Sequence, residues 1–230
     1  MDTVRAAFRD ECERLEEVLR GVDEADLARP TPCPPWAVRD LLAHVRSGAG
    51  RLVDMLAAPA PHRAEVDAAG YFGTAKFTPE VDRARIDGAQ REARQLPGVR
   101  EVADGFARAW RSADTAVAAQ PPGRLVRTRH GDSMTLTEFL RTRVAEVGVH
   151  GLDLADALHR QPWLTPTAAQ VIADLLICSR SGPGEPASLP DALGWDPLTL
   201  VRKATGRAPL TEREQTLVDQ AGLRWLTFGG

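Results

Sequence analysis

Glu146 and His150 stand four residues apart in Arg143-Val144-Ala145-Glu146-Val147-Gly148-Val149-His150-Gly151-Leu152-Asp153-Leu154. On an α-helix that spacing puts a carboxylate and an imidazole on one face, within reach of a shared cation. Nitrogen and oxygen donors of this kind suit a divalent metal such as zinc. The same pair also reads as a helix-surface ion pair worth about 0.3–0.5 kcal/mol. His44, in Leu41-Leu42-Ala43-His44-Val45, would complete a three-donor set, or else is a satisfied core histidine. Arg143 and Asp153 continue the line one step on either side. Arg143 could receive a substrate carboxylate, and Asp153 could orient His150 or a bound water; both also read as ion-pair members that hold helices together. Asp40, four residues before His44, is a helix-start acid, a partner behind the histidine, or a spare ligand.

The helix that carries the pair is apolar round most of its girth. Leu136, Leu140, Val144, Val147, Gly151, Leu154 and Leu158 form one stripe, and Ala145, Val149, Leu152 and Ala155 fill another face. Such a helix is buried. Ionisable groups lined up on it need partners, because an unpaired buried charge costs several kcal/mol. Thr135-Leu136-Thr137-Glu138 fits a capping box at its start, and Gln161-Pro162 ends it.

The elements before it follow the same logic. Val4, Phe8, Leu15, Val18 and Leu19 predict an amphipathic helix over 2–21. The proline-rich run Arg29–Pro35 breaks it, and a second helix is predicted from about Pro35–Trp36 to Ala57. Residues 58–78, rich in Pro, Gly and Ala, read as a long crossover loop. Thr78-Pro79-Glu80 opens a third helix over 79–119, with a break near Leu96-Pro97-Gly98, followed by a short hairpin turning at His130-Gly131-Asp132. After Thr165-Pro166 comes a helix to about Ser179, a loop at Ser181–Pro186, a stretch Leu198–Thr205 that hints at a strand, and a last short helix behind Thr211…Glu214. The fold class is mainly all-α.

Thr31-Pro32-Cys33-Pro34-Pro35-Trp36-Ala37-Val38-Arg39-Asp40-Leu41-Leu42-Ala43-His44-Val45 resembles the opening motif of the mycothiol-dependent maleylpyruvate isomerase family, within the DinB-like metal-binding superfamily. The Glu146-x-x-x-His150 segment, followed by Asp153-Leu154, resembles its second motif, and the two lie about a hundred residues apart in the expected order. The resemblance covers about residues 1–160. It implies a DinB-like four-helix bundle with a long crossover between its second and third helices. It implies a divalent metal, usually zinc, on His44, Glu146 and His150, with mycothiol as thiol cosubstrate for an electrophilic small molecule, in an isomerase or S-transferase. Members that isomerise maleylpyruvate carry a C-terminal domain with its own sheet. Here residues 161–230 are expected to form only a small, mostly helical extension. A thiol-independent Lewis-acid enzyme and a non-catalytic metal-binding or stress-response bundle are the competing expectations.

Composition narrows the classes. The net charge is −3, which gives no electrostatic case for nucleic acid or an anionic membrane surface. No apolar run approaches the ~20 residues of a spanning helix, and the polar N-terminus does not read as a signal peptide. A cytoplasmic monomer or homodimer is expected. Cys12, Cys33 and Cys178 are too few and too scattered for a disulfide framework or a cysteine-rich zinc site. Trp36 and Cys33 are read as packing at the second helix's start, and His62, His130 and His159 as loop or helix-end residues.

Overall fold

The structure is a computed structural model that describes residues 1–73, 78–96, 98–178 and 193–220. Four long helices enclose the core: α1 (Asp2–Leu19), α3 (Val38–Ala57), α6 (Val99–Ala118) and α7 (Leu136–Ala157). Their main contacts run α1 to α6, α6 to α3, α3 to α7 and α7 back to α1, which closes a ring. Phe8 and Leu15 of α1, Leu41, Leu42 and Leu52 of α3, Phe106 of α6, and Phe139, Leu140 and Leu154 of α7 are fully buried between them. The shorter elements are α2 (Glu24–Leu27), α4 (Ala68–Tyr71), α5 (Pro79–Ala93), α8 (Pro166–Cys178), α9 (Pro197–Ala204), α10 (Glu212–Gln220), and the antiparallel pair β1 (Leu125–Arg127) and β2 (Ser133–Thr135). The mainly all-α class expected from periodicity is the class observed. No described helix is long and apolar enough to cross a membrane.

Several boundaries differ from expectation, each for a local reason. Helix α3 opens at Val38 rather than at about Pro35–Trp36. Ala37 is extended and bridged to Pro30, and the N–H of Val38 bonds the carbonyl of Arg29, so the backbone there serves the loop first. The crossover is not all loop, since α4 forms behind Asp67, whose carboxylate accepts from Gly70 N–H, and buries Tyr71 and Phe72. The third helix does divide as expected, into α5 and α6, with the break between Ala93 and Val99. Only half of the expected box at α7 forms: Thr135 Oγ1 accepts from Glu138 N–H, while the Glu138 carboxylate takes Ala68 N–H of α4 instead.

The suspected strand at Leu198–Thr205 is helix α9. Asp196 caps Thr199 N–H, Pro197 sits in the first turn, and Leu200, Val201 and Ala204 bury one face at helical spacing. The box at Thr211 and Glu214 forms as expected, with both reciprocal bonds in place. The loop at Ser181–Pro186 lies outside the described residues. Helix α8 packs on both α1 and α7. Gly148 permits the α7 approach, because a Cβ there would lie 2.8 Å from the Cδ1 atoms of both Ile172 and Leu164.

Candidate metal centre

Two helices supply the three residues. His44 sits two turns into α3, and Glu146 and His150 sit one turn apart in the middle of α7, where the two helices touch. His44 Nε2 lies 2.5 Å from Glu146 Oε1, and His150 Nε2 lies 3.8 Å from the same oxygen. One donor atom from each falls within 4.8 Å of the others. Zinc bonds of about 2.0–2.1 Å in a tetrahedral site set donors roughly 3.3 Å apart, so this set fits a small divalent cation after shifts of an ångström or less. The chemistry of the donors fits as well: two imidazoles and a carboxylate leave a further position open.

The electrostatics follow from burial. Burial lowers the proton affinity of His44 more than Glu146 raises it, so the imidazole is neutral, the form that binds metal. For Glu146, burial works against ionisation, but His44 and Arg143 outweigh it and hold the carboxyl well below the usual carboxylate range. Arg143 Nη2 lies 3.7 Å from Glu146 Oε2 and 3.4 Å from the Tyr71 hydroxyl. Gly48 of α3 leaves room for that guanidinium, since a Cβ there would stand 3.1 Å from Arg143 Nη1.

Behind His150 stands Asp153, fully buried. Its Oδ2 accepts from His150 Nδ1–H at 2.9 Å, which fixes the tautomer and leaves Nε2 to face Glu146. Arg207 closes on the same carboxylate with two bonds, Nε to Oδ1 at 3.0 Å and Nη2 to Oδ2 at 2.9 Å. The turn after α9 delivers it: Gly206 has φ +76°, Arg207 N–H bonds Arg202 C=O, and Gly206 N–H bonds Lys203 C=O. That is a Schellman stop, and the left-handed position is one that glycine occupies without strain. Burial opposes ionisation of Asp153, but His150 and Arg207 hold its carboxyl well below the usual range.

The three donors open into a narrow cavity of about 50 Å³, room for a few waters or one small carboxyl group. Its walls add Arg51, Tyr71, Phe72, Arg85, Arg129, His130 and Arg143 to the donors.

Residues 8–155 match the family model described as the mycothiol maleylpyruvate isomerase N-terminal domain. The chain belongs to this family. Among solved structures it is similar to the mycothiol-dependent maleylpyruvate isomerase, with a TM-score of 0.50 and 18% identity over 75% of this chain and 67% of that one. A histidine-to-alanine mutant of that isomerase matches with a TM-score of 0.50, 17% identity and the same coverage. At that identity the likeness speaks for the fold alone, here a helical bundle. No curated protein matches the chain.

Within this family member, the other residues noted from sequence divide clearly. Asp40 does not line the cavity; its Oδ2 accepts from Ala37 N–H at 3.0 Å and closes the first turn of α3. Asp40→Ala is therefore expected to cost about 1 kcal/mol, the usual value of a helix-start bond, and to leave bound metal at the wild-type level. Urea unfolding and elemental analysis check both halves. Trp36 does pack, but against the site: its ring lies 4.8 Å from that of His44, and the Arg85 guanidinium sits 5.0 Å above it. Cys33 donates its thiol proton to Asp153 Oδ2 at 3.2 Å. Burial, then the Asp153 charge, push that thiol up to about 12, so it is no nucleophile.

His62 and His159 lie off the cavity lining, His159 in a left-handed turn with φ 53° just past α7. His130, expected as a plain loop residue, lines the cavity. Sequence reasoning missed that role, and those of Arg207, Arg51, Arg85, Arg129 and Tyr71.

Proposed function

We propose that the chain is a cytoplasmic, metal-dependent enzyme. His44, Glu146 and His150 hold one zinc ion, and a low-molecular-weight thiol, mycothiol, is added to an electrophilic small molecule. The observation that carries the reading is the meeting of His44 with Glu146 and His150 in the lining of one cavity, from stretches of sequence about a hundred residues apart. Family membership supports it, as does the activity named for the two similar structures, which is the source of the thiol in this proposal.

When bound, zinc lowers the pKa of a coordinated thiol and so supplies a nucleophile at neutral pH. The chain's own residues do the rest. Asp153 and Arg207 keep His150 in one tautomer and orientation. Glu146, ionised and flanked by Arg143, supplies the negative charge. Phe72, buried in the cavity lining, and Trp36, buried against the His44 ring, keep bulk water from the donors. Sulfur addition to an activated double bond, rotation and elimination give isomerisation and return the thiol; protonation of the adduct gives lasting S-transfer. We read residues 1–160 as the unit bearing the three donors and 161–230 as an extension whose contribution is Arg207.

The test is elemental analysis of protein purified without a histidine tag, beside His44→Ala and His150→Ala. Wild type is expected to hold one metal per chain and each variant less than about a tenth of that, since two remaining donors make a weak site. Turnover of activated alkenes is expected to need mycothiol. A wild type without stoichiometric metal overturns the proposal, and metal-dependent turnover without any thiol selects the Lewis-acid alternative.

A further inference from the structure

The cavity at the three donors holds about 50 Å³, several-fold below the ~300 Å³ at which small-molecule sites begin. It has no room for a thiol and an electrophile together, so one of its walls must move to admit them. Most of the walls are firmly held. Helices α3 and α7 belong to the ring of four. Helix α4 buries Ala68 and Tyr71, and Glu138 of α7 pins its first turn. The β1–β2 hairpin, whose turn carries Arg129 and His130, buries Val126 and Met134 completely. It is tied down through Ser133, whose N–H donates to Glu65 and whose hydroxyl donates to the Arg63 carbonyl.

Helix α5 is the exception. Of its 15 residues only Ala89 and Ala93 are buried, with Ile86 packed in part, and α3 is its main support. Two methyl groups are small anchors. Arg46 of α3 and Glu92 of α5 add an ion pair at 3.1 Å, but both are partly exposed, where such a pair contributes little. Arg85 stacks over the Trp36 ring and reaches the cavity. An element with so few buried apolar contacts opens at low cost.

Solvent also reaches beneath α5. An open groove of about 500 Å³ runs under its C-terminal end, lined by Glu92, by Gln95 just beyond the helix, by Ser47, Arg51 and Asp54 of α3 and by Ala109 of α6. Arg51 is the one described residue that lines both the groove and the cavity. Arg85 and Glu92 stand two turns apart on one face of α5, one at the cavity and the other at the groove, so the helix roofs both spaces. With α5 raised the two spaces become one, of a size within the ~300–1,000 Å³ of small-molecule sites.

We propose that α5 is a lid: it lifts from α3 to admit the reactants to a site made of cavity and groove together, and closes to leave the small cavity of this structure. The inference rests on the reading of that cavity as the place where the reactants meet.

The experiment has two arms. In the first, hydrogen exchange of the wild-type full chain is followed by mass spectrometry, and α5 amides are expected to exchange at least about 100-fold faster than those of α3 and α7. Protection of α5 equal to theirs overturns the proposal. In the second, Arg46→Cys and Glu92→Cys are combined and joined by a short bis-maleimide, which fastens α5 to α3. EDTA is too large for the closed cavity, so it takes zinc from the loaded chain only when the lid is open. The fastened chain is expected to lose zinc to EDTA at least about tenfold more slowly than the same variant left unjoined. Equal rates of loss from the joined and unjoined chains overturn the proposal. Should the chain hold no zinc, the metal reading fails by itself, and the exchange pattern of the metal-free chain still decides this one.

Discussion

Asp153→Ala is expected to lower the unfolding free energy by about 3–5 kcal/mol and to weaken metal binding by roughly 10–100-fold. The size comes from what converges on one carboxylate. Asp153 is fully buried and accepts from His150 Nδ1, from two nitrogens of Arg207 and from the Cys33 thiol. Its removal leaves the Arg207 guanidinium, itself 11% exposed, without a counter-charge, and an uncompensated buried cation is far costlier than the pair is worth. It also frees the His150 ring to turn or change tautomer, which is the source of the metal effect.

Two further variants separate those causes. Asp153→Asn keeps an oxygen for His150 Nδ1–H and loses the charge, so metal affinity is expected to fall less than in the alanine variant while stability falls nearly as far. Adding Arg207→Gln to Asp153→Asn removes the stranded cation, and is expected to restore part of the stability without improving metal affinity. Urea unfolding of the metal-free proteins and competition for zinc against a chelator give the two readouts. Wild-type stability and wild-type zinc affinity in Asp153→Ala together defeat the account.

How much of this was legible in advance depended on distance along the chain. The α7 stripe was visible because an apolar helix cannot line up Arg143, Glu146, His150 and Asp153 without a reason, and 3.6-residue periodicity shows the alignment directly. His44 was visible only with the surrounding motif, since a histidine among leucines has an ordinary explanation. Arg207 lies 54 residues from Asp153, and nothing local marks it. The cavity arginines were hidden by number: with 27 arginines against Lys76 and Lys203, no single one stood out. The misread strand shows a different weakness. Leu198-Thr199-Leu200-Val201 is a short apolar run with β-branched members, and periodicity alone does not separate such a run from one buried helical turn. The Asp196-Pro197 start was the deciding signal, through a cap and a residue preset for the first turn. Glu138 was read correctly as a helix-start acid and wrongly as to its partner, because α4 offered it a backbone donor that a box assumes absent.

The second large effect concerns a carboxylate on the other side of α7. Glu11 of α1 is fully buried, and burial raises its pKa from 4.5 to about 7 against the opposing help of Thr165. Its Oε2 accepts Thr165 N–H at 2.9 Å and so ties α1 to the start of α8. Its Oε1 has no hydrogen-bond partner among the described residues, and the nearby indole N–H of Trp163 has none either; both face the backbone of Gly151, the residue after His150. A folded-state pKa above the unfolded one means that the folded chain keeps its proton longer. Below pH 4.5 both states are protonated and the fold is at full advantage. As pH rises from 4.5 towards 7 the unfolded chain releases the proton first, stability falls, and the loss is complete above pH 7. A shift of that size is worth about 3 kcal/mol. Glu11→Gln keeps an oxygen for Thr165 N–H and cannot ionise. The variant is therefore expected to match wild type near pH 4 and to exceed it by about 3 kcal/mol at pH 8. Urea titrations at half-unit pH steps measure the difference, from which titrations common to both proteins cancel. Parallel curves from pH 4 to 8, or a glutamine variant less stable than wild type at pH 8, would show that Glu11 is ionised in the fold at no cost. Because Glu11 braces α1 and α8 against the α7 backbone one residue past His150, the natural carboxylate loosens, at alkaline pH, the wall against which the metal ligands stand.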